Sequence, residues 1–302
     1  MNIHTATRHA AVFLLVAASS RAVETPATAK PTDDDLRIRG VFNSELPRTE
    51  YKHSLRLIVH PHLGDLTKRN HLRTVLGFRY GLTSRWEAST ETDAYFSHGL
   101  KGTKFFDEAG FATLRFGTKY QIGDPLALGW DTSVGVNWQQ PMGTPPVDVT
   151  DGLRHFAPFV AASHQLEGAP AWRVFTGFGW DNVAYKTAGS SLEKNELREN
   201  SLNFSGGALF EHGPATYALE ATYTTTRLIG TTDRDVFALR PSILWVLPPR
   251  FTFGSNSKWV LGFGLRLSHG PDGNDLGVNA KLRVNFDFKR LLGLKSAAPA
   301  KP

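Results

Sequence analysis

Residues 128–139 read Leu-Gly-Trp-Asp-Thr-Ser-Val-Gly-Val-Asn-Trp-Gln, and their order decides the fold class. Leu128, Trp130, Thr132, Val134, Val136 and Trp138 fall on one side of an extended chain; Gly129, Asp131, Ser133, Gly135, Asn137 and Gln139 fall on the other. One face is apolar and the other polar and small, a period of two that a β-strand turns into two distinct surfaces. Leu276–Lys289 repeats it, setting Leu276, Val278, Ala280, Leu282, Val284, Phe286 and Phe288 against Gly277, Asn279, Lys281, Arg283, Asn285, Asp287 and Lys289. Alternation sustained over twelve and fourteen residues exceeds the length of an ordinary soluble strand and suits one that crosses a bilayer at a tilt.

Twelve segments carry the pattern: 53–63, 71–82, 85–96, 110–122, 127–139, 154–165, 171–184, 201–211, 215–227, 234–246, 257–268 and 276–289. Segments 154–165 and 234–246 alternate least cleanly and contain Pro158 and Pro241, which leaves the count open by two. The links sort by parity. After odd segments come 64–70, 97–109, 140–153, 185–200, a shorter 228–233 and 269–275; after even segments come 83–84, 123–126, 166–170, 212–214 and one longer stretch, 247–256. Long links at one end and short links at the other are the habit of outer-membrane barrels. Hydrocarbon cannot hydrogen-bond a free strand edge, so such strands must close into a ring. The expected fold is therefore all-β: a transmembrane antiparallel up-and-down β-barrel of about 12 strands.

Composition removes competing classes. The chain has 302 residues, 41% of them apolar and 11% aromatic, too rich a content for a disordered protein. A mean hydropathy of −0.26 and charges in every apolar stretch exclude membrane-spanning helices. Absence of cysteine excludes disulfides, thiolate metal sites and thiol nucleophiles. The formal charge of +6 is not clustered, and basic-aromatic nucleic-acid signatures and Walker-type phosphate loops are absent, so no nucleic-acid partner is expected.

The N-terminus reads as an export signal over residues 1–22, with Arg8 and His9 as the basic end, Ala10 to Ser19 as the apolar run and Ser20-Arg21-Ala22 as the cleavage site. Residues 23–50 read as a largely irregular periplasmic segment, 51–289 as the barrel and 290–302 as a C-terminal tail. The expected location is the bacterial outer membrane, reached through the Sec pathway, with membrane lipid, lipopolysaccharide and the barrel assembly machinery as partners. Trp86, Trp130, Trp172, Trp245 and Trp259 lie within a few residues of the links after even segments, which places an aromatic girdle at that end.

The hairpin Phe78-Arg79-Tyr80-Gly81-Leu82-Thr83-Ser84-Arg85-Trp86-Glu87 resembles the "YGLTDR-aromatic-E" turn of Gram-negative outer-membrane proteins of the phenol-degradation MetA-pathway group. The likeness of repeated hairpins runs over residues 51–289, and it implies transport of a small solute without assigning catalytic residues. The terminal aromatic of such barrels corresponds to Phe286 or Phe288.

Candidate lumen and solute-binding residues follow from the polar faces. Arg56, Arg73, Arg79, Arg115, Lys119, Arg240, Arg266, Lys281 and Arg283 supply positive charge; Glu87, Glu91, Asp93, Asp131 and Glu220 supply negative charge. A three-residue turn would oppose Gly81 with Arg85, Arg79 with Glu87 and Arg73 with Asp93, giving two cross-strand ion pairs. Such charges suit either a transverse field that favours anionic solutes or a lattice of salt bridges that fills the lumen.

His60 and His62 share a strand face near His71, a spacing that can ligate zinc or copper, but no further fixed partner marks a metal site. No His-x-Ser pair suggests a lipid hydrolase, since His53-Ser54 and Ser97-His98 are adjacent and point apart. No enzyme activity, cofactor or metal is expected. The sequence thus favours a pore or transporter for small solutes; the alternative is a structural or adhesive barrel with a filled lumen.

Overall fold

The computed structural model describes residues 41–143, 145–146, 149–150, 152–184, 200–230, 234–248, 251–252, 258–271 and 273–287. Alternation materialises as twelve strands: β1 (Ser54–Pro61), β2 (His71–Gly81), β3 (Trp86–Ser97), β4 (Ala109–Gly123), β5 (Trp130–Pro141), β6 (Arg154–Gln165), β7 (Trp172–Ala184), β8 (Ser201–His212), β9 (Ala215–Thr225), β10 (Asp235–Val246), β11 (Lys258–Gly270) and β12 (Gly273–Asp287). A four-residue helix, α1 (Asp65–Lys68), interrupts the β1–β2 link. Each strand pairs antiparallel with its neighbour in sequence, and β1 pairs with β12 through Ile58 opposite Arg283, so the barrel is closed and no strand edge is left open.

The side chains sort inside out relative to a soluble protein. Phe78, Trp86, Phe116, Phe178, Phe263 and Leu265 face outward and are 43–49% exposed, while Arg56, Glu87, Lys119, Glu220 and Arg283 face inward and are at most 3% exposed. Trp86, Trp130 and Trp172 begin their strands, Trp245 stands one residue from the end of β10, and Trp259 stands one residue into β11, all at the end with the shorter links.

Two details depart from the sequence reading. The link after β2 holds four residues, 82–85, because the backbone N–H groups of both Leu82 and Thr83 donate to the Trp86 carbonyl. The β11–β12 hairpin is tighter than expected, with ladder pairing carried to Gly270 opposite Gly273. Gly273 has φ of 89°, a left-handed conformation that glycine adopts without a Cβ penalty, so the chain reverses where the sequence suggested a seven-residue link. Residues 41–50, which precede β1, lie within the lumen.

Their chemistry explains the position. Val41, Phe42 and Leu46 join inward-facing Phe175, Leu209, Ala218, Leu244 and Val260 in one buried apolar cluster. Phe42 rests over glycines of β11: a Cβ on Gly262 or Gly264 would come within 3.2 or 3.3 Å of its ring. The expected signal peptide of residues 1–22 and the expected tail of residues 290–302 lie outside the described residues, as does Phe288, whereas Phe286 pairs with Leu55 at the β1–β12 seam.

Candidate functional site

Alternation delivers the charged side chains to the lumen, and register decides which of them meet. In the β2–β3 hairpin Gly81 opposes Glu87, Arg79 opposes Ser89 and Arg73 opposes Tyr95. The wider link displaces the pairing by two positions from the expected one, which preserves every face but changes the partners. Arg79 still reaches Glu87, diagonally at 3.5 Å, and it also reaches Glu91 at 3.2 Å. Arg73 does not pair with Asp93: it forms a two-pronged contact with Asp65 of α1, its Nε at 2.8 Å and its Nη2 at 3.1 Å, while Asp93 accepts a hydrogen bond from the Thr113 hydroxyl at 2.5 Å.

The lumenal segment ties these residues together. Glu45 receives both terminal nitrogens of Arg79, at 2.6 and 2.8 Å, and the Lys119 ammonium at 3.3 Å. Lys119 also contacts Glu87 at 3.4 Å and donates to the Leu46 carbonyl at 3.1 Å. Glu50 pairs with Arg56 at 2.9 Å, and its backbone N–H donates to Glu87 at 2.8 Å. Across the lumen, Glu220 accepts from the Asn43 backbone at 3.2 Å and the Ser44 hydroxyl at 2.5 Å. Lys281 donates to the Val41 and Phe42 carbonyls at 3.0 and 3.2 Å, and Arg283 donates to Val41 at 2.8 Å. Arg48 lies 3.8 Å from Asp131 on β5. The segment is thus anchored to β1, β2, β3, β4, β5, β9 and β12.

Beside it lies a cavity of about 350 Å³ whose wall includes Arg56, Arg73, Arg79, Arg115, Lys281 and Arg283 against Glu45, Glu91 and Asp93. Arg115 bridges Glu91 at 3.3 Å and Gln139 at 2.7 Å. Six cationic groups and three carboxylates leave a local excess of positive charge on this wall. A second cavity of about 230 Å³ shares Asn43, Ser44 and Glu45 but is lined by Asn137, Phe159, Trp180 and Asn203 of the opposite strands. Glu87, Lys119 and Asp131 hold the segment without lining the first cavity, and Arg266 faces the lumen opposite Gly277 of β12, also away from it. Arg240 donates to Thr222 at 3.0 Å.

The carboxylates of β3 lie between the cations of β2 and β4, so charges interleave there instead of separating into opposed halves. Across the lumen, Phe175, Leu209, Ala218, Leu244 and Val260 form an apolar arc on β7 to β11, alongside Glu220, Arg240 and Arg266 of the same strands. That apolar arc, together with Glu45 and Glu50, escaped the sequence reading. Its signal was present as apolar residues on the lumen-facing parity, such as Leu244 in β10, which disturbs the alternation of segment 234–246 as Phe159 of β6 disturbs that of 154–165.

Histidines occupy separate settings. The rings of His60 and His62 stack at 4.8 Å, and His60 meets Phe42 edge-on at 5.6 Å. Burial and the Arg73 guanidinium push His62, in the β1–β2 link, down to about 4. His71 lies 2.9 Å from Glu108 and His155 2.9 Å from Asp181. Among the described residues, no three His, Asp or Glu side chains converge as a metal-binding group.

No protein-family model matches the chain, and no curated protein matches its sequence. An outer membrane channel from Pseudomonas putida F1 superposes over 81% of this chain and 98% of its own, with a TM-score of 0.55 at 11% identity. That likeness is one of fold. The NanC porin covers 77% of this chain and 98% of its own, with a TM-score of 0.49 at 13% identity, and the KdgM porin the same shares, with a TM-score of 0.42 at 9% identity.

Proposed function

We propose that the chain is an outer-membrane channel that binds and passes small solutes, with a preference for anions set by the arginine-rich side of its lumen. The observation that carries this reading is the combination of an apolar exterior with a polar interior that retains a cation-rich cavity of about 350 Å³. Exposed aromatic and aliphatic side chains around a closed ladder suit hydrocarbon, where no backbone group can be left unpaired. A cationic wall raises the local concentration of anions and opposes cations. The Pseudomonas putida likeness, to a protein described as an outer membrane channel, agrees with this reading, as does the hairpin resembling the phenol-degradation MetA-pathway group. Export through the Sec pathway, insertion by the assembly machinery and contact with lipopolysaccharide complete the proposal.

The test is single-channel recording in planar bilayers under a potassium chloride gradient. Wild-type protein should conduct with a reversal potential on the anion-selective side. Arg115→Glu combined with Arg73→Glu should move it toward cations, because both side chains line the cavity and are partly exposed. An unchanged reversal potential would refute the assignment of selectivity to this wall.

A second reading is favoured by residues 41–50, which span the lumen with Leu46 and Glu50 wholly buried. In that reading the barrel is structural or adhesive and acts through its longer links, such as 98–108. Absence of any conductance step from folded protein would select it.

A further inference from the structure

We infer that Arg283 and His60 form an oxyanion subsite within the charged cavity, taking the carboxylate of a small organic acid. The inference rests on the channel reading and sharpens it to one place and one ligand chemistry. Arg283 opposes Ile58 across the β1–β12 seam, and His60 lies two residues further along the same inward face of β1. Both line the cavity, and both are nine-tenths buried or more, at 3% and 7% exposure.

Their hydrogen-bonding capacity is not met by the described residues. Arg283 uses one nitrogen on the Val41 carbonyl, while its Nε and Nη1 have no partner among the described residues; the Nε2 of His60 has none there either. Buried polar groups are almost always satisfied, and a buried guanidinium with two idle nitrogens needs an acceptor from elsewhere. The charge distribution points the same way. Arg56 has Glu50, Arg73 has Asp65, Arg79 has Glu45 and Glu91, and Arg115 has Glu91. Among the described residues, the two cations of β12, Lys281 and Arg283, form no salt bridge and hydrogen-bond to backbone carbonyls of the lumenal segment, with Lys281 also over the Phe42 ring, so two cations without a directly paired carboxylate lie on the same wall as His60.

The ligand class follows from what surrounds these groups. An oxyanion accepts from Arg283 and from His60 in the tautomer that carries its proton on Nε2. Ile58, Val75 and the Phe42 ring line the same cavity and offer a surface for a short apolar body rather than for a second charge. The site therefore suits a compact monocarboxylate with a hydrocarbon portion, and it discriminates against the neutral alcohol of the same length.

The experiment is equilibrium dialysis of radiolabelled hexanoate against the full chain in lipid nanodiscs, with empty nanodiscs subtracted and no conductance required. Wild-type protein should bind hexanoate saturably and at least about tenfold more tightly than 1-hexanol, a difference of about 1.4 kcal/mol. Arg283→Gln should weaken hexanoate about tenfold or more. His60→Leu, which removes no bond to the backbone of the lumenal segment, should weaken it severalfold and guards against misfolding of the arginine variant. Lys101→Gln, on an exposed link, should bind as wild type. Failure of saturable hexanoate binding, equal affinity in wild type and His60→Leu, or preference for 1-hexanol would overturn the subsite. A barrel that binds hexanoate but never conducts would retain the subsite and remove the channel reading; a conducting barrel indifferent to hexanoate would do the reverse.

Discussion

Glu45→Gln should release the lumenal segment, and the size of the effect can be worked from its contacts. Glu45 accepts two hydrogen bonds from Arg79, at 2.6 and 2.8 Å, and an ion pair from Lys119 at 3.3 Å. Removing one partner of a buried ion pair costs about 3–5 kcal/mol, since the remaining charge is left uncompensated. Here the cost falls at the lower end of that range: Glu87 and Glu91 remain within 3.5 Å of Arg79, and the glutamine oxygen still accepts one hydrogen bond. A net loss of about 3 kcal/mol multiplies the population of the released state by about 100, at a factor of ten for each 1.4 kcal/mol. The chain has no cysteine, so Leu46→Cys introduces a unique thiol at a position 1% exposed. Labelling of that thiol by a bulky, membrane-impermeant maleimide then reports release. The rate should rise about 100-fold when Glu45→Gln is added to Leu46→Cys. A change of less than about threefold would refute the argument that this carboxylate holds the segment.

Two further outcomes concern the barrel itself. Phe263→Arg places a charge on the outward face in the middle of β11, between Ile243 and Ala280, and should destabilise folding into phospholipid vesicles by about 2–4 kcal/mol in a urea titration; an effect below about 0.5 kcal/mol would argue against lipid contact. Gly207→Ala puts a methyl group against the Leu219 carbonyl and within 2.7 Å of the Phe175 ring, so it should cost about 1–3 kcal/mol in the same titration.

The barrel was legible in the sequence because the period of two survives at nearly every strand, and a shift of one residue would have exposed charges such as Arg283 and Lys281 to lipid. Register was less legible. Both Arg79 opposite Glu87 and Arg79 opposite Ser89 keep arginine in the lumen, so periodicity cannot separate them; the hydrogen bonds that Leu82 and Thr83 donate to Trp86 settle the choice locally. The lumenal segment was least legible. Val41, Phe42 and Leu46 carry no repeat of their own, and their seat on Phe175, Leu209, Leu244 and Val260 comes from strands far along the chain. Those inward apolar residues register in the sequence only as imperfections of alternation. Likewise, nothing local to Glu45 announces Arg79 and Lys119 as its partners.

The seam between β1 and β12 bears on how the molecule is assembled. Eleven of the twelve pairings join strands that follow one another, and each can zip from its own link; the twelfth joins the two strands furthest apart in sequence. That pairing closes the longest loop of chain and so carries the largest loop-closure entropy. Residues 41–50 come immediately before the first strand, next to that gap. They are therefore wrapped by the curling sheet, as a letter is folded into its envelope, and need not be threaded through a finished tube. Closing the seam thus encloses the segment within the ring of strands.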